Sequence, residues 1–212
     1  MSDPGGRRGD DAHGEALIRI DASVIDVGLA GLAIETETRL PPELPTTVTF
    51  GSGEGEIALD GRVVWCFFHG TDAAPSGEQR PVYRAGIEFS NVLTPAAERL
   101  VGFLEQQAAP SGETRLFGRF RPPAAEPIRI HVTTAFRCRE VEPVAVAIEL
   151  RVAFDPAPGV AVELTPRGAD RNVAARIVEA RRGEALESWV LTLEVGDADA
   201  GALAALRRVV YN

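Results

Sequence analysis

The stretch Ile57-Ala-Leu-Asp-Gly-Arg-Val-Val-Trp-Cys-Phe67 decides the fold class. Its odd positions carry Ile57, Leu59, Val63, Trp65 and Phe67. A period of two sends alternate side chains to opposite faces of an extended strand. The same rhythm recurs in Tyr83-Arg-Ala-Gly-Ile-Glu-Phe89, and earlier in Ile18, Ile20, Ala22 and Val24. Gly31-Leu-Ala-Ile-Glu and Thr46-Thr-Val-Thr-Phe50 add two shorter strands. Several short strands separated by turn signals predict a closed barrel or a sandwich. The period then changes. Thr94 can cap a helix and Pro95 suits its first position, where no amide hydrogen is needed. Ala97, Leu100, Val101 and Leu104 follow at helical spacing.

The next residues break the pattern. Gln106-Gln-Ala-Ala-Pro-Ser-Gly and Arg121-Pro-Pro-Ala-Ala-Glu-Pro127 read as linker. Beyond them Val144, Val146, Ile148, Leu150, Val152 and Phe154 alternate, as do Trp189, Leu191, Leu193 and Val195. Leu203, Leu206 and Val210 fit a final helix. The expected organisation is a flexible tail at 1–14, a barrel with a helix at 15–108, a linker at 109–127 and a second barrel with a helix at 128–212. The halves also align. Gly61-Arg-Val-Val, Tyr83 to Phe89 and Ala97 to Leu104 match Ala175-Arg-Ile-Val, Trp189 to Val195 and Leu203 to Val210. An internal duplication follows, its second copy short by about one strand's worth of middle sequence.

Charge narrows the function classes. All 22 basic residues are Arg, so Lys-dependent chemistry is excluded. Net charge is -9, and all of it falls on residues 1–110, so a nucleic acid polymer is disfavoured as a partner. No apolar run approaches the roughly 20 residues a membrane helix needs, and no signal-peptide pattern opens the chain. The expected location is cytoplasmic, with Cys66 and Cys138 as free thiols. His13, His69 and His131 are scattered and no CxxC occurs, so no metal site and no cofactor is expected. No nucleophile elbow or paired His and Cys marks a catalytic centre, and Gly51-Ser-Gly-Glu-Gly55 lacks the GK[ST] of a phosphate loop. The chain does not read as an enzyme.

Between the first two strands lies Val24-Ile-Asp26-Val-Gly28-Leu-Ala-Gly31-Leu-Ala-Ile34. With Gly61-Arg-Val-Val-Trp65, Tyr83 to Phe89 and the helix after Thr94-Pro95, residues 15–105 resemble the PilZ family. The resemblance implies a six-stranded barrel with a C-terminal helix, and often binding of cyclic di-GMP. The family's binding sequence is Arg-x-x-x-Arg, then Asp or Asn-x-Ser-x-x-Gly. Arginine forks suit phosphates and guanine edges, and the glycine permits close ligand approach. Here Asp26 and Gly31 match, while Gly28 stands where the family has Ser. One lost hydrogen bond costs on the order of 1 kcal/mol. Arg7 and Arg8 lie upstream, but four residues after them stand Asp11 and Ala12, so the arginine spacing is missing. Losing charge-assisted contacts at roughly 1.5–3 kcal/mol each weakens binding by orders of magnitude. The plainer reading of Asp26, Gly28 and Gly31 is a turn.

A second basic cluster, Arg115-Leu-Phe-Gly-Arg119-Phe-Arg121, contains Arg-x-x-x-Arg before the second barrel. It reads as a charged linker whose Phe117 and Phe120 pack on a barrel, or as arginines that complete a site with Asp26. The sequence therefore predicts an all-β protein of two PilZ-like six-stranded barrels, the second degenerate, each ending in a helix. The expected function is a signalling adaptor working through protein–protein contact, with weak or absent cyclic di-GMP binding and a protein partner from a signalling or motility pathway. The alternative is a true cyclic di-GMP receptor using Asp26 and Gly31 with Arg7 and Arg8, or with Arg115 and Arg119. Homodimer formation is compatible with either reading.

Overall fold

The computed structural model describes residues 13–50, 56–74, 77–90, 93–102, 119–120, 126–142, 145–168, 171–196, 203–204 and 206–207. Its strands are β1 (Gly14–Gly28), β2 (Gly31–Thr36), β3 (Pro45–Phe50), β4 (Ile57–Ala73), β5 (Gln79–Phe89), β6 (Arg119–Phe120), β7 (Glu126–Val141), β8 (Ala145–Arg151), β9 (Ala161–Pro166), β10 (Val173–Arg182) and β11 (Ser188–Val195). Arg7, Arg8, Arg115, Phe117 and Arg121 lie outside the described residues. Two compact units emerge. One comprises Arg19–Val132 with Ala153–Asp155; the other comprises Met1–Ile18, Thr133–Val152 and Pro156–Asn212. The division falls inside β1 and β7, the two strands that carry residues of both units.

In the first unit the pairing order is β1-β2-β5-β4-β3-β7, and pairing of β7 with β1 closes it. A closed ring leaves no unpaired edge along the barrel wall. Alternation fills the interior with Leu32, Ile34, Val48, Leu59, Val63 and Ile87, all nearly inaccessible to water. Residues 95–102 are helical. The Ala97 amide donates to Thr94 Oγ1 at 3.2 Å, the cap expected from the sequence. Ala97 and Leu100 are buried.

The second unit closes in the order β7-β8-β11-β10-β9-β1. Ile148, Leu150, Leu164, Val173, Leu191 and Leu193 fill it. Residues 203–204 and 206–207 are helical, with Leu203 and Leu206 buried. The rest of the expected final helix lies outside the described residues.

Each unit repeats the other's connectivity: β1-β2-β5-β4-β3 corresponds to β7-β8-β11-β10-β9. The correspondence extends to single hydrogen bonds. Glu43 N donates to Val63 O at 2.7 Å and Val63 N to Leu44 O at 3.0 Å. In the other unit Gly159 N donates to Ile177 O at 2.7 Å and Ile177 N to Val160 O at 3.0 Å. Glu43 and Gly159 both take positive φ, 66° and 85°. A bulge at Val64 separates the pairs Val63–Ile87 and Trp65–Gly86; a bulge at Val178 separates Ile177–Leu193 and Glu179–Thr192. Both units keep all five corresponding strands, and the second is shorter within one hairpin. The missing length is the outer part of that hairpin, since β4 has 17 residues and β10 has 10.

Candidate functional site

The β1–β2 hairpin carries the residues singled out from the sequence. Asp26 pairs with Ala33, Val27 with Leu32 and Gly28 with Gly31, around a turn at Leu29 and Ala30. A bulge at Ile25 precedes them and keeps Val24 and Val27 both buried while Asp26 is half-exposed. Gly31 is required by crowding. A Cβ there would lie 2.1 Å from the Ile87 carbonyl oxygen, with φ at +156°. The Phe89 amide also donates to Ala30 O at 3.0 Å, which fixes the turn against β5.

Register extends this hairpin into a row across the barrel's outer face. Asp26 stands opposite Ala33, Ala33 opposite Gly86, and Gly86 opposite Trp65. Three strand spacings put Trp65 about 14 Å from Asp26. The two residues between them are small. Trp65 leans over the shelf, since a Cβ on Gly86 would lie 2.2 Å from its Nε1. Phe67 stacks on Trp65 with centroids 5.3 Å apart and planes at 19°. Ion pairs flank the row: Arg62 to Glu88 at 2.8 Å and to Glu43 at 2.7 Å, and Arg84 to Glu35 at 2.8 Å. These arginines are engaged by carboxylates of their own barrel.

Strand β6 lies beside the hairpin. Arg119 pairs with Gly28 and Phe120 with Val27. One arginine of the second basic cluster thus holds a register position next to the Asp26 turn. Residue 13 begins the described chain in the other unit. His13 N donates to Phe136 O at 2.9 Å, its carbonyl accepts from Arg167 N at 2.8 Å, and its Nδ1 accepts from Cys138 N at 3.1 Å. A Cβ on Gly14 would lie 2.2 Å from Thr165 O, so the chain is gripped there.

Residues 8–106 match the PilZ domain family model. The chain carries a PilZ domain. No curated protein and no solved structure matches it. The matched segment supplies β1 to β5 and the helical residues 95–102 of the first barrel. PilZ domains are binding and adaptor modules. Among the described residues no three potential metal ligands converge, and no helix is long and apolar enough to cross a membrane. Cys66 and Cys138 are free thiols.

Sequence reasoning missed Trp65 as a surface group. Its place in the odd-numbered series with Ile57, Leu59 and Val63 does not carry through, because the Val64 bulge turns it to the other face. The Gly86 opposite it was the available signal, because a glycine in a strand marks a bulge or a close approach. In the second barrel the equivalent row is Glu140, Ala147, Thr192 and Glu179. It carries two carboxylates and no aromatic ring.

Proposed function

We propose that this PilZ-domain protein is a signalling adaptor that works through protein–protein contact and binds cyclic di-GMP weakly or not at all. The observation that carries this reading is that Arg62 and Arg84, the arginines flanking the Asp26 row, are held by Glu43, Glu88 and Glu35. A dinucleotide with two phosphates needs arginine forks close to the Asp26 turn. Arg7 and Arg8 lack the family's Arg-x-x-x-Arg spacing, Gly28 offers no hydroxyl, and Arg62 and Arg84 are committed to carboxylates. The second barrel is a degenerate copy in this reading, and its row of Glu140 and Glu179 repels an anion. The partner is a protein of a signalling or motility pathway in the cytoplasm.

One observation favours a second reading. The backbone of Arg119 is paired with Gly28, so the post-helix segment, not the tail, is the arginine source nearest Asp26. A receptor of this kind would use Asp26 and Gly31 with Arg119 and Arg115, with Trp65 as a wall of the site. Amide spectra of the labelled chain separate the two. The adaptor reading expects the Gly28 and Gly31 resonances to stay in place as cyclic di-GMP is added. Saturable shifts there that vanish in Arg119→Ala overturn it and establish the receptor.

A further inference from the structure

The hairpin of β4 and β5 outgrows its barrel. Strand β3 covers β4 only as far as Arg62, and β2 covers β5 only as far as Tyr83. From Val64 to Ala73 no described strand lies on the outer edge of β4. No residue of that stretch is buried. Trp65, Phe67 and Phe68 are 41%, 52% and 58% exposed, with Val64 beside them. Open edges of this kind are normally blunted by charge. The second barrel does so: past its own bulge β10 reads Glu179-Ala-Arg-Arg182, and Arg182 sits over Trp189 at 4.1 Å. The β4 edge has aromatic rings where its counterpart has ions.

We infer that the Val64–Ala73 edge of β4 is a self-association surface, pairing antiparallel with the same edge of a second copy of this chain. The register follows from the faces. The bulge between Phe68 and Gly70 switches parity, so Trp65 and Phe67 share a face with Gly70 and Asp72. A two-fold axis between Phe68 and His69 matches the faces of the flanking pairs, Trp65 with Asp72, Cys66 with Thr71 and Phe67 with Gly70. It sets Trp65 opposite Asp72, Cys66 opposite Thr71, Phe67 opposite Gly70 and Phe68 opposite His69. Phe67 then covers the copy's Gly70, above which nothing lies within 4 Å. Trp65 already covers Gly86 in this way inside one chain. Three half-exposed aromatic rings present roughly 300 Å² per copy. Two copies give about half the 1,200 Å² at the low end of stable interfaces, before the strand backbones are counted. A weak, reversible dimer is expected. The inference does not depend on the adaptor reading.

Sedimentation of the full chain across the micromolar range tests this. Wild type is expected to pass from monomer to dimer with rising concentration. Phe67→Arg and Gly70→Val are each expected to weaken the dimer by on the order of tenfold or more, with unchanged far-ultraviolet circular dichroism. Nothing lies above Gly70, and Phe67 stacks on the half-exposed ring of Trp65 outside the barrel interior, so neither change touches the core. A wild-type chain that stays monomeric overturns the inference. So does a dimer that survives in both folded variants.

Discussion

The indole of Trp65 covers Gly86, its neighbour across two strands, closely enough that a Cβ there would meet Nε1 at 2.2 Å. The contact is with a half-exposed side chain, so a larger residue displaces the ring and leaves the backbone in place. Gly86→Val is expected to cost about 1–3 kcal/mol and to shift Trp65 emission to the red. Fluorescence in a Trp189→Phe background isolates that signal, since the chain has two tryptophans. An unshifted spectrum contradicts the shelf geometry.

Gly31 meets backbone, not a movable side chain. A Cβ would strike the Ile87 carbonyl oxygen, and neither strand can yield without breaking the β2–β5 ladder. Gly31→Ala is expected to destabilise by about 2–4 kcal/mol in chemical denaturation, with or without any ligand. A neutral substitution contradicts the requirement.

The paired positions Glu43 and Gly159 make opposite predictions. A non-glycine residue in the left-handed region costs about 1–2 kcal/mol. Gly159→Ala is expected to lose about 1 kcal/mol. Glu43→Gly relieves that strain and gives up only a surface ion pair to Arg62, which is worth about 0–1 kcal/mol. It is expected to be neutral or stabilising. Parallel denaturation curves with both substitutions destabilising contradict the equivalence of the two barrels.

Glu149 links the second barrel to pH. Hydrogen bonding from Ser188 Oγ, at 2.7 Å, and the neighbouring Arg139 hold its carboxyl below the usual range. A depressed folded pKa contributes stability above the unfolded value, near 4.5, and that stability is lost as pH falls through the folded one. Ser188→Ala removes the first cause. It is expected to be less stable near neutrality and to unfold at higher pH on acidification, the difference from wild type fading below the folded pKa. An unmoved acid midpoint contradicts this.

Burial separates the two thiols. It pushes Cys138 up to about 11 and raises half-exposed Cys66 as well. Thiolate is the reactive form. Native protein at neutral pH is expected to react slowly at Cys66 with a thiol reagent and at Cys138 only on unfolding. Equal rates contradict the burial.

The strands were legible because apolar residues at every second position have one extended solution. Ile57 to Val63 and Ile87 to Phe89 needed nothing more. Parity fails where a bulge inserts a residue, so Trp65 and Phe67, in one odd-numbered series with Val63, face outward. Strands β7 and β9 carry short alternations, Ile128, Ile130 and Val132, then Val162 and Leu164, which proline and glycine punctuation on either side obscured. The hairpin Asp26 to Gly31 was legible as a turn. The position of Arg119 beside Gly28 was not, because a two-residue strand has no period, and its pairing is set by a distant part of the chain.

Isothermal calorimetry with cyclic di-GMP at physiological salt tests the central claim most directly. A tail without Arg-x-x-x-Arg, and Arg62 and Arg84 held by carboxylates beside the Asp26 row, predict no saturable heat up to millimolar ligand. Micromolar binding that is abolished by Arg7→Ala with Arg8→Ala contradicts it.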